Sequence, residues 1–523
     1  MGKHSTSALS FFPSISDTQI AGKKSNRNKS GWENEDIRTH HLRVMDSKTF
    51  LGTTMWKLAW VILILGWVLG SAQGMEVRDG DGEFVVVELE RNVTELEPLK
   101  GLVFWQDLAR AKHGTYGTSI ALEFLYLLYS TVVVGAAADG TLTYDWSSFE
   151  RALDAARGRG HQTVVRLRYT EPGAAATAVP AHIKATAGYA ETTSTLSSGE
   201  TVHYPDWSSA ALRAFHTQFY ADLARRYDGD SRVAFFQTGF GHWAEYHTSG
   251  TPVALGRNFP SKDFQAAFFA AVERLFVQTP VSFGINSADA TYSPVPERAE
   301  LAPLSYGLFD DSFMHAQHDL WQGSGYNERL LRAYNHTTRH LRAPVGGEIS
   351  YYTRADQHDF LGPAGIHGTT WENASAKYHV TYMLANDCLA GAYATPERVR
   401  AAGMHAGYHL VVADYRVART RARVTVRNTG IAPVYHPLFV TVNGVRATRS
   451  LKHLAPGANA TFEVTGLDID LSNIIATLTI TSDKLYPGQT VPFEAHISTN
   501  AAHALVPSLL LFLAAALVLT FGL

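Results

Sequence analysis

The sequence predicts an α/β fold, a (β/α)8 TIM barrel followed by a C-terminal all-β sandwich. Two patterns carry that expectation. From about residue 95 to 407, short apolar, β-branched runs alternate with runs whose apolar residues recur at helical spacing, and repeated β-then-α units of this length build a parallel barrel. From Tyr408 to about residue 497 the helical spacing stops, and period-two stretches separated by turn residues take over.

GLVFWQ near Leu102 is the first expected strand, and EFLYLLYS from Glu123 the second. The second has lost its alternation to continuous apolar character, as burial on both faces requires. WSSFERALDAARGRG follows as a helix, with Asp145 as its expected N-cap and a glycine after its last turn. QTVVRLRY from Gln162 is the third strand, and WSSAALRAFHTQFYADLARRY after Asp206 a helix. RVAFFQTG is the fourth strand, halted by Gly239 and Gly241. FQAAFFAAVERLF is helical, VSFGINS the fifth strand, and a short helix near Glu297 precedes SYGLFDDSF, the sixth. NERLLRAYNHTTRHL is helical and VGGEIS the seventh strand. An eighth unit is expected between Trp371 and Gly407, where AKYHVTYMLANDCLA reads as helical. YHLVVADYRV, RARVTVRNTG, YHPLFVTVNG and NIIATLTITSD are the sandwich strands.

The two ends differ from this body. Residues 1–54 are polar, basic and without apolar periodicity, so they are expected to be disordered or untranslated. Residues 55–74 give Lys57, an apolar run from Leu58 to Leu69, and Gly70-Ser71-Ala72, the layout of a secretory signal peptide or a signal anchor. Residues 498–523 end in an apolar run with no charge after it. Small residues precede that run, which points to a GPI-attachment signal with the lipid on Ser498 or Asn500; a tail anchor is the alternative. Sequons at Asn92, Asn335, Asn373 and Asn459 suit a glycoprotein on the secretory route, at the cell surface or secreted.

Composition removes several chemistries. A net charge of −3 without a basic cluster in the folded part gives no nucleic-acid footprint. The single cysteine, Cys388, excludes an intrachain disulfide and a Cys-based zinc site, and reads as a small buried apolar residue. His242, His247, His315 and His379 match no standard zinc spacing, and no glycine-rich phosphate loop or G-x-S-x-G elbow occurs, so neither metal nor cofactor is expected.

The chemistry gathers at the ends of strands four and seven. The loop after RVAFFQTG carries His242, Trp243, Glu245, Tyr246 and His247, a carboxylate among aromatics. Aromatics stack on apolar sugar faces and desolvate an acid, raising its pKa; a rim glutamate bonded to an arginine is the alternative. Glu348 ends the seventh strand, followed by Tyr351. Strands four and seven face each other across a barrel mouth, where barrel catalytic groups sit. Arg166 and Arg168 alternate in strand three and so point the same way, into the barrel, to hold a carboxylate or a sugar acid, or as a structural salt bridge. Asp310 and Asp311 end strand six and would bond sugar hydroxyls or cap a turn. Trp105, Trp243, Trp321 and Trp371 are candidate stacking platforms or packing residues.

The strand-four plus strand-seven pair resembles the large clan A of retaining glycoside hydrolases, and that resemblance implies Glu245 as acid/base and Glu348 as nucleophile. The clan usually has Asn before the acid/base, where this chain has Ala244. Across nearly the whole mature chain, EPLKGLVFW, LEFLYLLYS, RVAFFQTGFGHWAEYH, LFDDSF, VGGEI and MHAGYHLVV…VTVRNTGIAPVYHP resemble an uncharacterised glycosidase-like barrel family. It is a domain of unknown function with a WGEWH-like loop after strand four, a GGE at strand seven and an appended β-sandwich. The expectation is a glycoside hydrolase-like protein with a carbohydrate as substrate or ligand and the membrane as partner through its C-terminus. A non-catalytic carbohydrate-binding protein on the same barrel, and an adhesin using the sandwich alone, are the alternatives.

Overall fold

The computed structural model describes residues 84–319 and 325–498. Eight strands close a parallel barrel: β1 Gly101–Trp105, β2 Leu122–Leu128, β3 Gln162–Arg168, β4 Val233–Thr238, β5 Val281–Gly284, β6 Gly307–Phe313, β7 Val345–Ile349 and β8 Tyr382–Leu384. They follow one another around the ring, and β8 pairs back onto β1. Helices α1 Gln106–Tyr116, α2 Ser147–Gly158, α3 Ala210–Tyr227, α4 Lys262–Leu275, α5 Tyr326–Ala333, α6 Trp371–Tyr378 and α7 Pro396–His405 punctuate them. Between β5 and β6 the described link carries three 3-10 segments, Ile285–Ala288, Val295–Glu297 and Ala299–Leu301.

Two expectations are corrected in detail. The eighth strand lies inside TYMLANDCLA, read from sequence as helical. α6 stops where His379 turns left-handed (φ 55°), the chain extends over Tyr382–Leu384, and Cys388 falls on a 3-10 turn, fully buried. A three-residue apolar run has no period of its own to tell strand from helix. Asp145 accepts from the Ser147 amide at 2.9 Å but stands one residue ahead of the N-cap position, which Trp146 fills.

Strand alternation decides what fills the lumen. On β3, Val165 and Leu167 pack in the helix-facing core while Val164 and Arg166 face inward. On β4, Phe236 joins that outer core while Phe235 and Gln237 face inward, and Phe235 stacks on Tyr382 of β8 at 4.4 Å. Gly346 of β7 leaves room for that tyrosine, since a Cβ there would stand 2.3 Å from the Tyr382 ring. Gly347 adopts φ 146°, and a Cβ would meet the Asp310 carbonyl oxygen at 2.1 Å. The two glycines before Glu348 are therefore packing requirements of the barrel wall.

The C-terminal strands are β9 Leu410–Ala418, β10 Arg421–Asn428, β11 Phe439–Val442, β12 Val445–Arg446, β13 Asn459–Thr465, β14 Leu478–Thr481 and β15 Glu494–Ile497. One sheet runs β13-β10-β9-β15-Leu89–Arg91, with Val85–Val86 also on β9; the other runs β12-β11-β14. β12, β13 and β15, and the two short strands before the barrel, were not among the expected strands. The sandwich seats against the amino ends of the barrel strands. His436 bonds the Ala234 carbonyl (2.8 Å), and the Lys484 ammonium donates to the carbonyl of Asp230 (2.6 Å) and to the Thr279 hydroxyl (2.7 Å). Lys100 donates to the Tyr408 carbonyl (2.6 Å) and pairs with Glu97, both side chains fully buried. Apolar lumen residues and the sandwich interior form one continuous cluster. The bottom of the barrel is thus closed, and the carboxyl ends of the strands are left for chemistry.

The signal-peptide and lipid-tail expectations, and Asn500, lie outside the described residues. Among the described residues no helix is long and apolar enough to cross a membrane. Asn92, Asn335, Asn373, Asn459 and Ser498 are all exposed.

Candidate active site

The loop after β4 doubles back on itself so tightly that side chains would obstruct it. A Cβ on Gly239 would lie 2.0 Å from the Ala244 carbonyl oxygen, and one on Gly241 equally close to that of His247. The Gly241 amide donates to the Glu245 carbonyl (2.8 Å) and the Trp243 amide to the Thr170 carbonyl beyond β3 (2.9 Å). Trp243 (φ 52°) and Ala244 (φ 64°) are successive left-handed residues, a strain of roughly 1–2 kcal/mol each that persists only where the surroundings impose it. A hairpin after β3, Thr192–Thr195 with Thr201–Tyr204, braces the far end: the Tyr204 hydroxyl accepts from the Ser249 amide (2.7 Å) and donates to its carbonyl (2.9 Å).

This backbone puts Glu245 over the barrel mouth, buried. Among the described residues no hydrogen bond reaches its carboxyl; the His247 and His242 Nε2 atoms stand 3.5 and 3.8 Å from its Oε2. Burial, reinforced by Asp311 and Glu348, pushes the Glu245 carboxyl well above the usual range, with Arg166 opposing. Burial also pushes His242 well below its ordinary value, so its ring is neutral.

Glu348 projects from β7 into the same electrostatic neighbourhood but has a partner. Arg166 donates to its Oε1 at 2.8 Å and, through Nε, to Gln237 Oε1 at 2.7 Å; Gln237 in turn donates to the Tyr382 hydroxyl at 3.0 Å. Phe309 and Phe124 flank the guanidinium at 4.4 and 5.1 Å. Burial raises the Glu348 carboxyl, and the Arg166 charge and hydrogen bond oppose that rise. Arg168, one step nearer the mouth, pairs with Glu171 (2.5 Å) and lies 3.8 Å over the Tyr126 ring.

The two aspartates of β6 part company. Asp310 is engaged in the shell: it accepts from Asn327 (2.7 Å) and the Ser312 amide (3.0 Å) and pairs with His318 (2.7 Å), as its turn-capping alternative has it. Asp311 keeps the inward parity of Phe309 and acts electrostatically on Glu245, His247 and Glu348; burial raises its carboxyl. On the Glu348 side, Trp105 packs edge-on to Phe124 (4.9 Å) and against Tyr126 (5.3 Å), and Tyr351 interacts with both Trp105 and Glu348. Trp371 is core, its Nε1 donating to the Ala402 carbonyl; Trp321 lies outside the described residues.

Of the four histidines considered for metal, His379 is turned to the sandwich, bonded to the Ile431 carbonyl, and His315 stacks on Tyr352. His242 and His247 instead converge on Glu245, one ligand atom from each lying within 4.8 Å of the others. The sequence reading missed Tyr126, Gln237 and Phe309. A buried glutamine two residues after Phe235 in an otherwise apolar strand was the available signal for Gln237.

No family model matches the chain, and no curated relative matches it, so the resemblance to the uncharacterised barrel family stands on its motifs alone. Among solved structures, the catalytic domain of β-amylase from Paenibacillus polymyxa is similar, with a TM-score of 0.37 and 10% identity over 59% of this chain and 99% of that one. Endo-glycoceramidase II from Rhodococcus sp. matches with a TM-score of 0.34 and 13% identity over 73% and 99%. A tri-modular endo-β-1,4-glucanase from Bacillus licheniformis matches at 0.33 and 11% over 77% of each chain. These neighbours are glycoside hydrolases.

Proposed function

We propose that the chain is a glycoside hydrolase-like protein of the cell surface or extracellular space that cleaves a glycan with retention of configuration. One observation supports it above others: two buried carboxyls converge electrostatically at one barrel mouth, and only one of them is bonded to a cation. Arg166, bonded to Glu348 Oε1, favours the Glu348 anion against the effect of burial, and that anion would attack the anomeric carbon through Oε2. Glu245, buried without a cationic hydrogen-bond donor, is suited to carry the proton that the leaving oxygen takes. Water then attacks the glycosyl–Glu348 ester, Glu245 accepts the water's proton, and both carboxyls return to their starting states. Trp105, Trp243, Tyr351, Asp311 and Arg168 would contact the sugar as stacking faces and hydroxyl partners.

A glycan array on the mature protein, followed by hydrolysis assays on the hits, tests this. Glu348→Gln is expected to lower turnover by several orders of magnitude while leaving glycan affinity nearly unchanged, because it removes the covalent step and spares the contacts. Full activity in that variant overturns the assignment. A second reading, a carbohydrate-binding protein without turnover, is favoured by Ala244: where the clan places an Asn amide beside the acid, this chain has a buried methyl. Array hits that are bound and never cleaved would establish it.

A further inference from the structure

The loop after β4 holds two imidazoles that the hydrolytic reading leaves unused, both beside its proposed acid. His242 and His247 both turn Nε2 toward the same oxygen, Glu245 Oε2, at 3.8 and 3.5 Å. Ligands about 2.1 Å from a tetrahedral zinc stand roughly 3.4 Å apart, so a small inward adjustment would bring all three atoms onto one ion. The spacing His-x-x-Glu-x-His follows no helical face. It works here because the left-handed pair Trp243 and Ala244 folds the loop back, and because Gly239 and Gly241 allow the backbone to close behind it.

We infer that His242, Glu245 and His247 form a binding site for a divalent transition-metal ion of the zinc class, open to the barrel mouth at its remaining position. Two imidazoles and one carboxylate suit zinc, cobalt or nickel and not magnesium or calcium, which take oxygen ligands. An outer partner stands nearby: the His242 Nδ1 lies 3.5 Å from the Tyr204 hydroxyl, and with the ring proton on Nδ1 the Nε2 lone pair is free for the ion. The surrounding charge favours a dication. Glu245, Glu348 and Asp311 face this space, while Arg166 is engaged by Glu348 and Gln237 and Arg168 by Glu171. His247 keeps about a quarter of its side chain exposed, so an ion can enter from solvent. The site does not depend on the hydrolytic reading. Under that reading the ion and the acid's proton compete for one oxygen, and bound zinc switches hydrolysis off.

Calorimetric titration of the full chain, freed of chelator, with zinc chloride tests the site, and the visible bands of cobalt report its geometry. One equivalent of zinc is expected to bind, with a tetrahedral or five-coordinate cobalt spectrum. His247→Gln changes a partly exposed ring, whereas Tyr204→Phe also removes the buried hydroxyl's two bonds to Ser249, so folding of each is checked by circular dichroism. Loss of the ligand in His247→Gln is expected to weaken zinc by more than 100-fold, and loss of the outer partner in Tyr204→Phe by roughly 10–100-fold. Absence of zinc binding to the wild-type chain, binding retained within tenfold in His247→Gln, or magnesium binding as tight as zinc overturns the inference. The two readings fail separately. Hydrolysis without zinc binding removes the metal site alone, and zinc binding with a fully active Glu348→Gln removes the hydrolytic assignment alone.

Discussion

Arg166 shows how one residue can carry both stability and chemistry. Its guanidinium is fully buried between two aromatic rings, bonded to Glu348 and Gln237. Removing one partner of a buried pair leaves the other uncompensated, typically at about 3–5 kcal/mol. Arg166→Met is therefore expected to lower unfolding free energy by that order in urea titrations, and Arg166→Met with Glu348→Gln to recover most of the loss. A second test at this scale is pH. Burial by itself would lower the pKa of His318, but the paired Asp310 carboxylate outweighs it and holds the imidazole up at about 9. A raised folded pKa gives stability that is complete below the unfolded value of about 6.5 and is lost as pH rises through about 9, at roughly 1.4 kcal/mol for each pH unit between the two values. His318→Gln should thus cost much more at pH 6 than at pH 10 in parallel thermal melts, and an equal cost at both would show that the pair does not titrate this way.

At the scale of elements, the loop after β4 is the piece whose conformation decides the site. Gly239→Ala would drive a methyl into the Ala244 carbonyl, so it is expected to destabilise by about 1–3 kcal/mol and to abolish glycan binding even if the barrel still folds. Native-like binding by that variant would show that the turn is looser than described. Much of the barrel was legible because its strands are long apolar runs: β2, β3 and β4 stand within a residue or two of their expected places. β8 was not, since three residues carry no period. Glu245 and Glu348 were legible as strand-end carboxylates, and Arg166 as an inward arginine by its alternation with Arg168. The convergence of His242 and His247 on Glu245 was not. It depends on two left-handed residues in sequence, which neither Trp nor Ala advertises. Asp310 and Asp311 looked equivalent for a related reason: adjacent strand residues point to opposite faces, and only the structure says which face is the lumen.

At the scale of the whole molecule, barrel and sandwich share one apolar cluster and a set of buried ties, Lys484, His436 and Lys100 among them. They are expected to unfold in a single transition by calorimetry, and a chain cut after residue 407 to be insoluble, because it would bare that cluster. Two well-separated transitions would contradict this. A binding activity that survived deletion of the barrel would support the adhesin reading instead. The lipid-tail expectation has its own test: phosphatidylinositol-specific phospholipase should release the protein from cells, and membrane-retained protein still carrying Leu509 to Leu523 would indicate a tail anchor.

The column that rises from His436 through Phe235, Tyr382, Gln237 and Arg166 to Glu348 has a consequence for heredity. Its members touch one another in turn, and Gly346 yields its side-chain space to the Tyr382 ring. Replacing one member alone is expected to cost stability. Descendants that acquire a side chain at Gly346 should be found with a smaller residue at 382, and those that lose Arg166 should have given up the acid at 348, so that the column is inherited whole or dismantled together.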